Sequence, residues 1–429
     1  MKRAILSFIL ILILSMGLMA CGKSTNTVQT QVTGSAEEAT EETASIAESV
    51  SVGSSDIEIL DADADNTSLS SGTVTVTIGN KQITLSGAYV VDGIDAVVTG
   101  GSYETSESDT NVFLVVNGGH LTLSNAEIVK TGDAGANDST RTSDVSDDYN
   151  FYGINSVILV VGEDSSAEIR DCTITSDCSG ANAIFSTAGA EVTAENVEIT
   201  TTGNSSRGVY ATYEGVIDAS HMSITTSGAH CAPIATDRGG GYVTVTDSVV
   251  NCSGDGSPCI YSTGEIVVEN VVGTSTGAQA AVIEGKNSIT MTGCSFTVTG
   301  SGNNGIMLYQ SMSGDAADSD ATASVSTLTM TDTTITVDNG GPLLYVTNTA
   351  SVVNLCGGNT LKSTSGVFAS AATGRWGSDG SNGGTLTIHT ADTISEALQA
   401  DDLSSITVLT SDGAAVTGST SGSVTVSEE

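Results

Sequence analysis

Basic residues are scarce in this chain. Only 12 Lys and Arg stand against 50 Asp and Glu over 429 residues, a formal charge of −38. Such a balance leaves no basic patch for a phosphate backbone, which excludes nucleic acid as a partner. It suits a soluble extracellular protein that repels other anionic surfaces unless cations bridge them. Aromatics make up 4% and proline 3 residues, so a large core must be built mostly from aliphatic side chains. The repeats described next carry no i, i+3, i+4 apolar stripe, which argues against helices as the building unit. The cysteine spacings match no zinc site. The four histidines (His120, His221, His230, His389) are scattered and make no triad.

What is present is a repeat. Ala190–Ala211, Gly215–Thr236 and Gly241–Ser262 share one pattern: two alternating apolar positions, a turn residue, two more such positions, then a Gly-rich loop and a short apolar run. The four apolar positions are Val192, Ala194, Val197 and Ile199, then Ile217, Ala219, Met222 and Ile224, then Val243, Val245, Ser248 and Val250. Asn196, His221 and Asp247 hold the turn, and the short runs centre on Val209, Ile234 and Ile260. The same frame extends back to Leu121–Ile128 around Asn125 and to Ala167–Ile174 around Asp171. Forward, it continues around Asn270 (with Gly273 fourth), Gly293 and Asp332.

A period of about 23 to 26 residues with twofold alternation inside it is the signature of a solenoid of short strands. One turn cannot bury its own apolar positions, so turns must stack, about 4.8 Å apart, with equivalent residues in columns. Ala167, Val192, Ile217, Val243, Ile266 and Ile289 are expected to form one such column. The Asn, Asp and Gly positions are expected to be sharp bends in the left-handed region. Parallel strands cross over right-handed, so the fold expected is all-β, a right-handed parallel β-helix over residues 72–384. Residues 385–429 are expected to be terminal coils or a cap. The strands Thr73–Ile78 and Gln82–Leu85 are expected to open the first, atypical coils.

In this repeat pattern the chain resembles the pectate-lyase-like superfamily of right-handed β-helix proteins. More narrowly, it resembles the Gly/Ser/Thr-rich β-helix lipoproteins of bacterial cell surfaces. The likeness spans about Gly72 to Ser411. It implies a fold but no single function, because superfamily members include lyases, hydrolases, esterases, adhesins and plain binding proteins.

Lys2 and Arg3 precede an apolar run from Ala4 to Leu18, followed by Met19, Ala20 and Cys21. A basic start and a short apolar run read as a secretory signal over residues 1–20. The Leu-x-Ala-Cys ending is similar to the bacterial lipobox, which implies cleavage before Cys21, a diacylglycerol on its thiol, and a place on the outer face of the cell membrane. Residues 21–71 are rich in Ser, Thr, Ala and Glu and cannot bury a core. They read as a flexible tether, and Asp61, Asp63 and Asp65 within it lack the Gly and distal Glu of an EF-hand.

Cys172 and Cys294 occupy one inward position and read as core hydrophobes, as does Cys356. Cys231, Cys252 and Cys259 fall in loops of adjacent turns, and a Cys252–Cys259 or a Cys231–Cys259 bridge is open. Two insertions, Thr131–Tyr152 and Gln310–Ala323, carry clustered aspartates. They read first as mobile acidic loops, and in the second Asp315, Asp318 and Asp320 could hold Ca²⁺.

The scarce cations gather near one corner. Four residues past Ile234, Val282 and Ile306 stand Arg238, Lys286 and Gln310, with Asp237, Glu284 and Tyr309 beside them and Tyr213 one turn earlier. Phe185, Tyr210, Tyr261, Tyr345 and Phe368 recur as an aromatic ladder, and Arg375 and Trp376 sit in a Gly-rich loop. Outward-facing rings beside charged groups suit a long polysaccharide. The alternative is that Arg238 and Lys286 pair with Asp237 and Glu284 while the aromatics fill the core. Neither the paired aspartates and Gly-His-Gly of polygalacturonase-like hydrolases nor the Arg-x-Pro-x-x-Arg of pectate lyases is present. The expected function is therefore polysaccharide binding or adhesion. A Ca²⁺-assisted lyase or hydrolase is the second reading, and a structural spacer is the third. No feature of the sequence points to an oligomer.

Overall fold

The computed structural model describes residues 66–135, 144–300, 304–311, 325–376 and 382–429. Cys21, residues 22–65 of the tether, and Asp315, Asp318 and Asp320 lie outside the described residues, while the expected tether's last two residues, Ser70 and Ser71, already belong to a strand.

Among the described residues, regular structure is almost entirely β, and three long sheets of 13, 10 and 14 strands share the repeats between them. Strands Glu191–Glu195, Gly215–Ser220 and Gly241–Thr246 belong to sheet one. Glu198–Thr201, Ser223–Thr226 and Val249–Cys252 belong to sheet two. Val209–Thr212, Ile234–Thr236 and Ile260–Ser262 belong to sheet three. The chain passes from sheet one to two to three and back. Each strand pairs in parallel with its counterpart one repeat on, so Val192 stands on Ile217, which stands on Val243. The column continues through Ala167, Ile266 and Ile289, as the alternation requires. Every member is at most 2% exposed, and together with the inward faces of sheets two and three they form the main core.

Between sheets one and two the chain bends at a single residue. Asn125, Asp171, Asn196, His221, Asp247, Asn270, Gly293 and Asp332 all have φ between 49° and 64°. Short polar side chains and glycine tolerate that region best. The bends also bond along the column: Asn196 Nδ2 donates to Asp171 Oδ1 (2.6 Å) and Asn270 Nδ2 to Asp247 Oδ1 (3.0 Å). Where one repeat lacks volume the next supplies it. A Cβ on Gly273 would lie 2.3 Å from the ring of Phe296, its partner one repeat on.

The first strands depart from expectation. Ser70–Ile78 and Lys81–Asp92 form an antiparallel hairpin, with Ile78 opposite Lys81. The two residues between them, Gly79 and Asn80, suit a tight hairpin turn, and Gly79 takes φ +58°. The hairpin joins sheet three through its second strand, and Ile78, Ile83 and Leu85 cover the face of that sheet turned away from the main core. The first insertion contributes to the same cover. Residues 144–152 form a strap with a short helical turn at Asp147–Asn150, and Val145, Tyr149, Phe151 and Tyr152 are buried. This part of the insertion is thus a packed element and not a loose acidic loop, because its apolar residues close a second core over Leu159, Phe185 and Tyr210.

At the other end, Thr385–Thr390, Ser405–Thr410 and Val424–Glu428 continue sheet one, while sheet two stops at Thr360–Ser363. Cys172 and Cys294 lie in the core, but Cys356 is only half-buried, just past the inward Leu355. Among the described residues, no helix is long and apolar enough to cross a membrane.

Candidate functional site

The outward face of sheet three is bare only beyond the hairpin and strap. There it forms the floor of a groove of about 650 Å³. Its floor carries Asp237, Tyr261, Val282, Met307 and Tyr309, which alternate with inward core residues along their strands. One side is the loop wall bearing His230, Asp255 and Gln279. The strap closes one end, and Arg375 with Trp376 lines the other.

At the strap end, two arginines act as latches. Arg207 is 8% exposed. Its Nη1 donates to Asn150 Oδ1 (2.9 Å), its Nη2 lies 3.8 Å from Asp237 Oδ2, and its guanidinium sits over the Tyr210 ring. Burial opposes its charge, but Tyr210, Asp237 and Asp144 outweigh that and hold its pKa above the ordinary arginine value. Arg238 Nη1 donates to Asp147 Oδ2 (3.0 Å), and its guanidinium lies 3.9 Å from the centre of the Phe151 ring. Asp144 Oδ1 accepts from Asn150 Nδ2 (3.0 Å) and Ser205 Oγ (2.8 Å).

Burial alone would raise the Asp144 carboxyl; the Asn150 and Ser205 bonds and the Arg207 charge overcome this and hold it below the usual carboxylate range. A depressed folded-state pKa means the strap's anchoring is complete above the unfolded value, about pH 4, and is lost as pH falls through the folded value. Acid titration followed by hydrogen exchange should therefore show residues 144–152 losing protection below about pH 4, ahead of the sheets. Asp144→Asn should remove most of that dependence; strap and sheets opening together in both proteins would refute the latch.

At the far end the groups are ring faces and a buried acid. Glu284 is fully buried in the floor. Its Oε2 accepts from the hydroxyls of Tyr261 (2.5 Å) and Tyr309 (2.8 Å), and its Oε1 from the Ser311 backbone N–H (3.3 Å) and hydroxyl. These bonds fix both tyrosines. The Trp376 ring rests 5.1 Å from that of Tyr309, and the Arg375 guanidinium lies over Trp376 at 4.3 Å.

The sequence-predicted residues divide accordingly. Asp237, Arg238, Tyr309, Arg375 and Trp376 line the groove, and Glu284 braces it from beneath. Tyr210 is fully buried under the strap. Tyr213 stacks on Tyr152 (5.6 Å), donates its hydroxyl to that of Tyr152 (3.1 Å) and abuts Gly79 of the hairpin. Its pairing with Arg238 one repeat on is as expected, since the Tyr213 N–H donates to the Arg238 carbonyl. Lys286 is misplaced by one residue: Ala281, not Val282, pairs with Ile260 and Ile306, so Gly285 stands in the Gln310 column and Lys286 points to solvent. Gln310 is buried, and its carbonyl accepts from Asn348.

The aromatic ladder holds for Phe185, Tyr210, Tyr261 and Tyr345, on the outward positions of sheet three. Phe368 is out of register. An irregularity at this residue pairs Leu344 with Ala369, and Phe368 turns into the main core. Sequence reasoning missed Arg207, Asp255 and Gln279, reached His230 only as one of four scattered histidines, and reached Asp144 only as one of the clustered aspartates of the first insertion. Arg207 carried a signal too, as a cation just ahead of a short apolar run in a chain with few. Among the described residues, no group of three or more His, Cys, Asp or Glu stands together as a metal site. No family model, curated protein or solved structure matches this chain.

Proposed function

We propose that the groove holds a segment of polysaccharide and that the protein is a glycan-binding protein or adhesin of the cell surface. The carrying observation is the convergence, in one groove, of Tyr261, Tyr309, the chain's only Trp and three of its 12 basic residues. Ring faces supply contact area at low entropy cost, and guanidinium and carboxylate groups orient hydroxyls and acidic substituents. The rod carrying it would be a right-handed parallel β-helix. Parallel pairing one repeat apart and the handedness of parallel crossovers support this. Residues 21–71 would tether it to the membrane through a lipidated Cys21, supported by the basic and apolar start of the chain.

Retention on insoluble glycans and on a glycan array, with and without Ca²⁺, tests this. Trp376→Ala is expected to weaken retention about tenfold or more, roughly 1.4 kcal/mol. Tyr213→Ala should leave it unchanged, because Tyr213 lies under the hairpin. Wild-type retention by the Trp376 variant, or no glycan retained at all, would refute the reading. Two acids at the floor, Asp237 and Glu284, keep a Ca²⁺-assisted lyase or a hydrolase as the second reading. Unsaturated-uronide absorbance or released reducing ends, lost on Glu284→Gln, would favour it over binding alone.

A further inference from the structure

We infer that Cys252 and Cys259 are joined by a disulfide that closes residues 253–258, the loop that gives the groove wall Asp255, Gly256 and Pro258. The reason lies in what the same position does in neighbouring repeats. Thr201, Thr226, Cys252 and Ser275 are in register at the ends of successive strands of sheet two. Thr201 Oγ1 donates across the following loop to the Ser206 carbonyl (2.6 Å), Thr226 Oγ1 to that of Cys231 (2.5 Å), and Ser275 Oγ to that of Ala278 (2.9 Å). Each hydroxyl ties its loop shut. In the Cys252 repeat the tie is replaced by two thiols 3.6 Å apart, 2% and 0% exposed.

A thiol is a weak donor, so that contact is a poor substitute for the hydroxyl bond. A disulfide restores the closure. Its sulfurs stand about 2.05 Å apart, so forming it draws together two thiols that already touch at 3.6 Å. The other partner open to Cys259 is engaged elsewhere: Cys231 Sγ lies 3.1 Å from the carbonyls of both Gly203 and Ala229 and accepts from the Ser206 N–H (3.0 Å). Burial also pushes the Cys231 thiol up to about 11. The Cys259 contact instead holds the Cys252 thiol below its ordinary value.

The oxidant is a disulfide, either a small one such as oxidised glutathione or that of a thiol oxidoreductase. As the repeat closes during folding, the Cys252 thiolate attacks one oxidant sulfur and releases one thiol. The Cys259 thiol then loses its proton, attacks the Cys252 sulfur and releases the second. Two protein thiols and one oxidant disulfide become one protein disulfide and two thiols. This inference does not depend on what the groove binds.

The full chain, refolded with oxidised glutathione and trapped with an alkylating reagent, is cut with a protease that cleaves before Asp255 and weighed without reduction. The expected result is a Cys252 fragment covalently joined to a Cys259 fragment, lighter than the two free fragments by two hydrogens, with Cys231 alkylated. In Cys252→Ser, Cys259 should become alkylatable rather than pair with Cys231. Alkylation of both Cys252 and Cys259 in the oxidised wild-type chain would overturn the proposal, and so would a Cys231–Cys259 linkage. Because the readout is fragment mass on the wild-type chain, it does not depend on the variant folding.

Discussion

Phe296→Ala is expected to lower the free energy of unfolding by about 3–5 kcal/mol, among the largest losses any single core truncation here can cause. The ring is 1% exposed. It fills not only its own place in the column but also the volume left by Gly273 one repeat earlier. Glycine has no side chain that can move into the cavity, and Ile335 on the other side is held by its own strand pairing. The site cannot collapse, which puts the cost at the upper end of the range. The converse change is equally diagnostic. Gly273→Val forces atoms against the Phe296 ring and should cost about 1–3 kcal/mol or more by overpacking. Combined with Phe296→Ala, the valine should recover part of the loss, so the pair should couple by more than about 1 kcal/mol. Urea unfolding of the four proteins measures this; strictly additive costs would show that the two positions do not share a volume.

Arg207→Ala has the second large effect, and it reaches the groove as well as the fold. Removing the guanidinium takes the Arg207 charge away from the Asp237 carboxylate, 6% exposed, and takes away the bond that Asn150 Oδ1 accepts from it. Breaking a buried pair from one side costs about 3–5 kcal/mol. Part of that loss is local. The strap is anchored by the Asn150–Arg207 bond and by Asp144, whose carboxylate depends partly on the same charge. Hydrogen exchange at residues 144–152 should therefore rise far more than in the sheets. Arg207→Lys should not rescue it, because one ammonium cannot reach Asn150 and Asp237 together as the planar fork does. Unchanged strap protection in Arg207→Ala would show that the arginine is a bystander.

The candidate site was half legible before the structure. Asp237 and Arg238 are legible because they follow a strand, and Tyr309 because it ends one, and the alternation of those strands fixes their place along the sheet. Counting along the repeat puts Lys286 one residue off because the loop between Ser275 and Ala281 is shorter than its neighbours, and loops carry no alternation to count by. The sequence leaves open which side the ladder with Tyr210 faces; Tyr210 lies on the outward side of sheet three, yet that face is covered at its level and at that of Tyr213. The covering elements lie far away in sequence: the hairpin comes from before the first repeat, and the strap from an insertion.

Local chemistry alone therefore determined the strands, their columns and their bends. Twofold alternation decides which side of a sheet each residue faces, and a bend such as that at Asn196 or Gly293 needs only the residue that tolerates it. Which part of the outward face is exposed was decided only by the tertiary structure. The hairpin and strap reach it through long-range burial of Ile83, Phe151 and Tyr152 against Phe185 and Tyr210. Trp376 likewise meets Tyr309 only because the loop after Val367–Ala371 reaches back past the intervening strand Leu344–Thr347. No periodicity in the sequence encodes such meetings, since they depend on which surfaces remain to be covered once the repeats have stacked.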